Sequence, residues 1–513
     1  MKLLIGWDTQ DITPAQPVEL MGQYYQRVSK SVRDPLVVTA LALEQTTANA
    51  TEQCVMVSVD IVGLEETFLE EVRAAVRDQV PGLNTQRVFL NATHIHTGPS
   101  WFTTRNWWVP AAHVVQREEV RSFLLRQVVR AVANAWDARR PGQAGWASAY
   151  APTGFCRRSL YADGHAEMYG ETNRTDFIGL EAGNDPEVRM LFAWNERDQL
   201  SGLILNVACP AQVMEAGYVV SGDFFGELRK RVQATYGPQA HLLPQVSAAG
   251  DQSPRNLPAQ AHNEPNYWNE SGLLAVADRL EKAVAEGYES ARRCRQQALL
   301  FKHTMTPLVL PIRRAGVEEY RAACAEVAHL TSPYPDGATA ARELFAKFVA
   351  VTRAAEGRQA HGPFDNKELE FVKLENAKAV IDRYGIQERA PNFAMELHAV
   401  RLGDCAFVTN PFELYLDYGQ MIQARSRAKK TFIVQLACGV GGYLPTTRAV
   451  AAGGYGSLII NGRVGPEGGR MLVDSTVKAI SQIWSGELER RTRPEAEFSR
   501  VKEQPLEMAT SAK

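Results

Sequence analysis

Three short apolar runs in the first hundred residues restrict the architecture of this chain more than any other feature. Residues 36–44 (LVVTALALE), 54–60 (CVMVSVD) and 88–92 (VFLNA) are rich in β-branched side chains and too short for packed helices. They read as buried strands. Between the second and third, residues 65–79 put Phe68, Val72 and Val76 on one stripe of an amphipathic helix. A long helix follows over 117–136, strands return within 190–208, and 272–297 is helical. Strand and helix alternate, so the expected fold is α/β, with mixed β-sheets flanked by α-helices. Residues 317–384 are mostly helical and charge-rich, broken at Pro333-Tyr334-Pro335-Asp336-Gly337. They are expected as a helical insertion spanning about 315–385 and made of solvated packing helices. Strands resume at 396–400 and 406–408. The Gly-rich stretch 439–469 matches neither GxxxxGK[ST] nor GxGxxG, so it is not a phosphate loop. The organisation this implies is one catalytic domain over 1–486, insertion included, and a charged C-terminal tail over 487–513.

Composition excludes several functions. With 513 residues, 45% hydrophobic and 22% charged, the chain is that of a globular protein. With a net charge of −2 and no long basic block, nothing points to nucleic acid. No window approaches the ~18–20 apolar residues of a membrane span. The opening MKLLI meets Gly6-Trp7-Asp8 at once, too short for a signal-peptide core, so a cytoplasmic location is expected, or a secreted or periplasmic one if a leader was removed. The seven cysteines are odd in number and widely spaced without a CxxC, which argues against a disulfide framework or a zinc ribbon.

Chemistry concentrates where the strand 88–92 ends. His94 and His96 stand two apart, and on an extended strand such residues face the same side. Gly98-Pro99 then ends the strand. Two imidazoles at a strand end suit a metal ion or acid–base work. Two partly buried histidines bonded to backbone fit the same residues. The aromatics Trp101, Phe102, Trp107 and Trp108 read as a loop packed on the core, or as a substrate wall. Ser253, held extended before Pro254, presents its hydroxyl outward from a turn. Glu413, between a strand and a helix, suits a helix N-terminus.

Thr93-His94-Ile95-His96-Thr97-Gly98-Pro99 resembles the Thr-His-Thr-His-Ser-Gly-Pro signature of the neutral/alkaline ceramidase family, zinc-dependent amidases that split the N-acyl bond of ceramide. Other segments resemble the family's motifs in the same order, from Asp11-Ile12-Thr13-Pro14 to Tyr455. Gly250-Asp251-Gln252-Ser253-Pro254-Arg255-Asn256 resembles Gly-Asp-x-Ser-Pro-Asn, with Arg255 interposed, and the resemblance implies a catalytic role for Ser253. Phe155-Cys156-Arg157-Arg158-Ser159 resembles an Asn-Arg-Ser-Pro stretch whose Arg contacts the reacting region, which implies Arg158. The resemblance further implies that Glu413 and Tyr455 bind zinc and that Tyr443 faces the substrate. The family's second zinc-binding His falls on Cys209 in Asn206-Val207-Ala208-Cys209-Pro210. A thiolate is an acceptable zinc ligand. Cys209 as a nucleophile with His94 or His96 as base, or as an inert core residue, are the other readings.

What the resemblance implies is a Zn2+-dependent hydrolase. His94, Cys209, Glu413 and Tyr455 hold the metal, and His96, Ser253, Arg158 and Tyr443 serve the reaction. The substrate is a small-molecule or lipid-like amide, with no nucleic-acid partner and no transmembrane segment. An ester or sugar-derivative hydrolase of the same architecture and a non-catalytic binding protein are the alternatives. The immunoglobulin-like domain that follows the catalytic part in these ceramidases is not expected here.

Overall fold

The Val-rich runs pair as their composition requires. In this computed structural model, which describes all residues except 1, 24, 49, 103–109, 111, 263–267, 355–368 and 492–513, the strand Val37–Thr46 is the spine of a five-stranded sheet. Leu4–Asp11 and Thr51–Val59 flank it antiparallel, and Val88–Ala92 adds parallel to Thr51–Val59. Side chains alternate along Thr51–Val59. Val55, Val57 and Val59 enter one apolar cluster with Phe68, Val72 and Val76 of the helix Glu66–Gln79 and with Val128 and Val132 of the helix Arg117–Asp137. Cys54 and Met56 enter another, with Ile204 and Leu243 of a second sheet and Phe407 and Phe432 of a third. Each fully buried Val or Leu contributes about 1.5–3 kcal/mol, so a sheet buried on both faces is held from two sides.

The second sheet runs in the order His241–Val246, Leu200–Val207, Glu187–Trp194, Gln143–Tyr150. The third runs Phe301–Pro311, Asn392–Leu402, Cys405–Thr409, Lys430–Val434. Both are antiparallel except for one parallel pair each. Helices Asp223–Tyr236 and Asn269–Arg293 add Leu228, Val276 and Leu280 to the first cluster. The expected α/β class with mixed sheets and flanking helices is what the chain adopts.

The stretch expected as an insertion forms helices Val317–Thr331, Gly337–Ala354 and Glu370–Ile386. The break at 333–337 ends in a cap, with Asp336 Oδ1 accepting from the Thr339 N–H at 2.7 Å. Leu330, Leu344, Phe348, Phe371 and Leu374 give these helices an apolar cluster of their own. The last helix, Pro466–Arg491, continues into the expected tail, the rest of which lies outside the described residues.

One histidine of the core sets a pH limit. His241 stacks on Trp7 at 5.9 Å and its Nδ1 lies 2.7 Å from Thr9 Oγ1. Burial pulls its pKa down to about 4, below the ordinary value near 6.5. The unfolded chain takes up this proton first, so the His241 contribution is full above about pH 6.5 and is lost as pH falls toward 4. Unfolding in urea at about pH 7.5 and about pH 5 is expected to show His241→Gln losing on the order of 2 kcal/mol less than wild type on acidification. Equal losses in the two proteins would remove His241 as the cause.

Candidate active site

The strand Val88–Ala92 stops two residues short of His94. The His94 N–H donates to Ile61 O at 3.0 Å and the Thr93 N–H to Val59 O at 3.0 Å, so the chain stays tied to the end of the neighbouring strand. His94 itself has φ of 62°, in the left-handed region. The two imidazoles therefore do not converge by the extended i, i+2 geometry expected from the sequence. A left-handed residue turns them together, with the Nε2 atoms 3.4 Å apart. His94 Nδ1 lies 2.6 Å from Val62 O. A carbonyl only accepts, so Nδ1 carries the proton and Nε2 presents a lone pair. Glu413 Oε2 stands 3.5 Å from that lone pair.

Glu413 is not a helix cap. It lies in the short strand Phe412–Leu414, parallel to Gly442–Leu444 and directly opposite Tyr443. The following helix starts at Leu416, whose N–H is taken at 2.9 Å by Asp251 Oδ1. Gly250 packs so closely here that a Cβ would stand 2.3 Å from Glu413 O. Tyr443 Oη accepts from Arg157 Nη2 at 2.9 Å, and the same nitrogen donates to Gly250 O at 2.9 Å. Burial raises the Tyr443 phenol well above its usual range, so it stays protonated. Tyr455 meets it edge-on with ring centroids 5.5 Å apart.

His94, His96, Glu413, Tyr443 and Tyr455 line one cavity of about 1090 Å³. Its remaining walls include Leu20 and Met21 and, from the helices Val317–Thr331 and Glu370–Ile386, Ala323, Val372 and Val380.

Arg158, Ser253 and Cys209 do not line it. Arg158 is turned the other way, with Nε on Glu181 Oε2 at 2.5 Å and Nη2 on Gly453 O at 2.6 Å. Arg157 is the arginine that meets Tyr443. Ser253 is fully buried rather than presented outward: it pairs with Phe155, and its Oγ accepts from the Arg255 N–H at 3.1 Å. Cys209 is fully buried with Sγ 3.1 Å from Thr153 O. Burial, and after it the Asp223 carboxylate, push its thiol well up, which keeps it neutral. Trp101 is a core residue, fully buried edge-on to Phe68 at 4.9 Å. Trp107 and Trp108 lie outside the described residues.

Two residues that sequence reasoning missed meet the His96 ring, and the first holds it. Gln212 Nε2 is 2.8 Å from His96 Nε2, and Glu215 Oε2 is 3.5 Å from His96 Nδ1. The only signal was two polar side chains, three and six positions after Cys209, in a segment of small apolar residues. Burial, and then the charges of His94, Arg27 and Arg157, pull His96 well below the ordinary imidazole range, so it is neutral at pH 7. Gly22 closes on the ring from the other side, where a Cβ would stand 2.4 Å from His96 Cγ.

This arrangement of sheets has solved counterparts. The crystal structure of neutral ceramidase from Pseudomonas aeruginosa aligns with a TM-score of 0.64 over 94% of this chain and 75% of that one, at 18% identity. The fold is that of neutral ceramidase. A structure described as ceramidase complexed with C2 gives a TM-score of 0.64 over 95% of this chain and 76% of its own, at 16% identity. No family model matches the sequence, and no curated protein matches it. The neutral ceramidase fold is thus retained at an identity where site chemistry must be argued from the residues themselves. Among the described residues no helix is long and apolar enough to cross a membrane.

Proposed function

We propose that this chain is a zinc-dependent hydrolase that cleaves an N-acyl amide bond at the cavity described above. The observation that carries the reading is the convergence of His94, Glu413, Tyr443 and Tyr455 on one concave site, with the lone pair of His94 Nε2 directed inward. The donors suit the metal. Ligands at ~2.0–2.1 Å around tetrahedral zinc stand about 3.3 Å apart, and His94 Nε2 is 3.5 Å from Glu413 Oε2. His94, Glu413 and Tyr455 would hold the ion, which leaves one position open, as catalytic zinc sites do. Cys209 is left out of this set, because it does not line the cavity and its Sγ is turned to Thr153 O at 3.1 Å. Zinc, when bound, lowers the pKa of a coordinated water and polarises the substrate carbonyl.

The chain's own groups do the rest. His96 is neutral, and its Nε2 would exchange the Gln212 amide contact for a proton from the attacking water and then pass that proton to the leaving amine. The Tyr443 hydroxyl and the Arg157 guanidinium behind it stabilise negative charge on the carbonyl oxygen. Arg158 acts at one remove, by fixing Gly453 and hence the turn that carries Tyr455. Ser253 braces the segment of Arg255, close behind the site.

The helical insertion lines the cavity with Ala323, Val372 and Val380 as well as with Glu319, Glu326, Lys373 and Asp382, so its walls suit a small-molecule or lipid-like amide with both an apolar and a polar part. The decisive experiment is zinc analysis by mass spectrometry on wild type and Cys209→Ala, beside a hydrolysis panel of short N-acyl amides, ceramide and matched esters. Zinc in both proteins with amide turnover is the expected result. Loss of zinc in Cys209→Ala would return the thiol to the ligand set. Ester turnover alone would reassign the bond cleaved. Ligand binding without turnover or zinc would make the chain a binding protein.

A further inference from the structure

A second set of chemically competent side chains stands apart from the cavity. Glu396 and His398 are two apart on the strand Asn392–Leu402 and so face the same side. Cys438 approaches them from the segment that follows the third sheet. The ligand atoms of these three residues all lie within 4.8 Å of one another, and they form the only such His/Cys/Asp/Glu trio among the described residues. None of them lines the cavity.

The hydrogen bonds around His398 leave a deficit. His303 Nδ1 is 2.9 Å from Gln53 O, His303 Nε2 is 3.0 Å from His398 Nδ1, and His398 Nε2 is 3.1 Å from Glu396 Oε2. The carbonyl at one end and the carboxylate at the other only accept. The three contacts need three N–H protons, and two neutral imidazoles carry two. A third proton would create an imidazolium among fully buried groups that already include the Arg73 guanidinium, bonded to Glu396 at 2.7 and 2.8 Å.

A cation at His398 Nε2 removes the deficit. His398 Nδ1–H then donates to His303 Nε2, and His303 Nδ1–H donates to Gln53 O. The free lone pair of His398 faces the carboxylate and the thiol. Relative to the imidazolium state, a divalent ion displaces two protons, one from the histidine pair and one from Cys438, so the net charge of the cluster is unchanged. Imidazole, thiolate and carboxylate together suit zinc better than magnesium or calcium, which take oxygen ligands. The outer contacts are those of a metal site: the ligating imidazole donates its other N–H to a buried partner, and a guanidinium orients the carboxylate.

We infer that Glu396, His398 and Cys438 form a structural transition-metal site for a zinc-like divalent ion, distinct from the cavity and independent of the proposed reaction. The ion would clamp Cys438, whose N–H bonds Leu90 O at 3.1 Å, to the strand Asn392–Leu402.

Cobalt(II) chloride is the probe. The full-length chain, stripped with chelator, is titrated while the near-ultraviolet thiolate-to-cobalt band is followed. The band is expected in wild type, His94→Ala and Cys209→Ala. It is expected to vanish in Cys438→Ser and His398→Gln, with bound metal falling by about one equivalent per chain. No thiolate band in folded wild type, or a band that survives Cys438→Ser and disappears in Cys209→Ala, overturns the inference. A readout on wild type covers the case of a variant that does not fold: zinc is expected to slow alkylation of Cys438 at least about tenfold, and equal alkylation with and without zinc overturns the site.

Discussion

His94→Ala is expected to empty the cavity of its zinc and to lower kcat/KM on an amide substrate by about 10³-fold or more, roughly 4 kcal/mol of barrier. Its imidazole is locked in one tautomer by Val62 O, with the free lone pair 3.5 Å from Glu413 Oε2. Alanine removes that donor and leaves the Glu413 carboxylate facing the cavity without the imidazole. The backbone of residue 94 adds a smaller cost, because a left-handed φ of 62° suits alanine less well than histidine. His94→Asn separates the two effects: it tolerates the conformation but does not supply the imidazole. Both variants should lose zinc and activity together. A His94→Ala protein that keeps its full zinc content and its turnover would end the metal mechanism. Thiolate-bound metal at Cys438 should survive in it, so metal counts are read as differences from wild type.

The strands at 36–44, 54–60 and 88–92 could be read from sequence because they are buried on both faces, which leaves near-continuous apolar runs. The helix at 65–79 was equally legible, since Phe68, Val72 and Val76 all meet one apolar cluster. The chemistry of the histidines was visible and their geometry was not: a left-handed residue at His94 has no mark in a Thr-His-Ile-His string. The local pattern around Glu413 suits a cap, because a carboxylate before a helix usually is one, and only the resemblance implied a metal ligand. Here Asp251, distant in sequence, takes the first N–H of that helix and leaves Glu413 to the cavity. Gln212 and Glu215 escaped for a related reason. Each acts on His96 across more than a hundred residues of chain, and no local pattern encodes such a contact.

Arg157 and Arg158 show how far one residue of register carries. Arg157 lies between the strands Phe155–Cys156 and Arg158–Tyr161 and Arg158 begins the second, and in extended chain neighbours point to opposite sides, so a short motif with adjacent arginines can fall on either. Arg157 bridges Gly250 O and Tyr443 Oη, while Arg158 is sealed against Glu181 with their side chains 2% and 1% exposed. Arg157→Lys keeps the charge, but its shorter side chain does not carry a nitrogen to the position of Nη2, from which both contacts are made. It is expected to lower kcat by about 10²–10³-fold with KM little changed, and to cost about 1–3 kcal/mol of stability through the unpaired Gly250 O. Arg158→Met leaves a buried carboxylate unpaired and is expected to cost about 3–5 kcal/mol of stability. Pairing it with Glu181→Met should restore much of that loss, because an apolar pair of similar volume avoids the unpaired charge. Urea unfolding and steady-state kinetics on the three variants separate the roles. A kinetic defect in the stabilised Arg158/Glu181 double variant, matched by normal kcat in Arg157→Lys, would move the oxyanion contact back to Arg158. The opposite pattern assigns Arg157 to Tyr443, and through it to the carbonyl oxygen, and Arg158 to the turn that carries Tyr455, two tasks that a single guanidinium cannot perform.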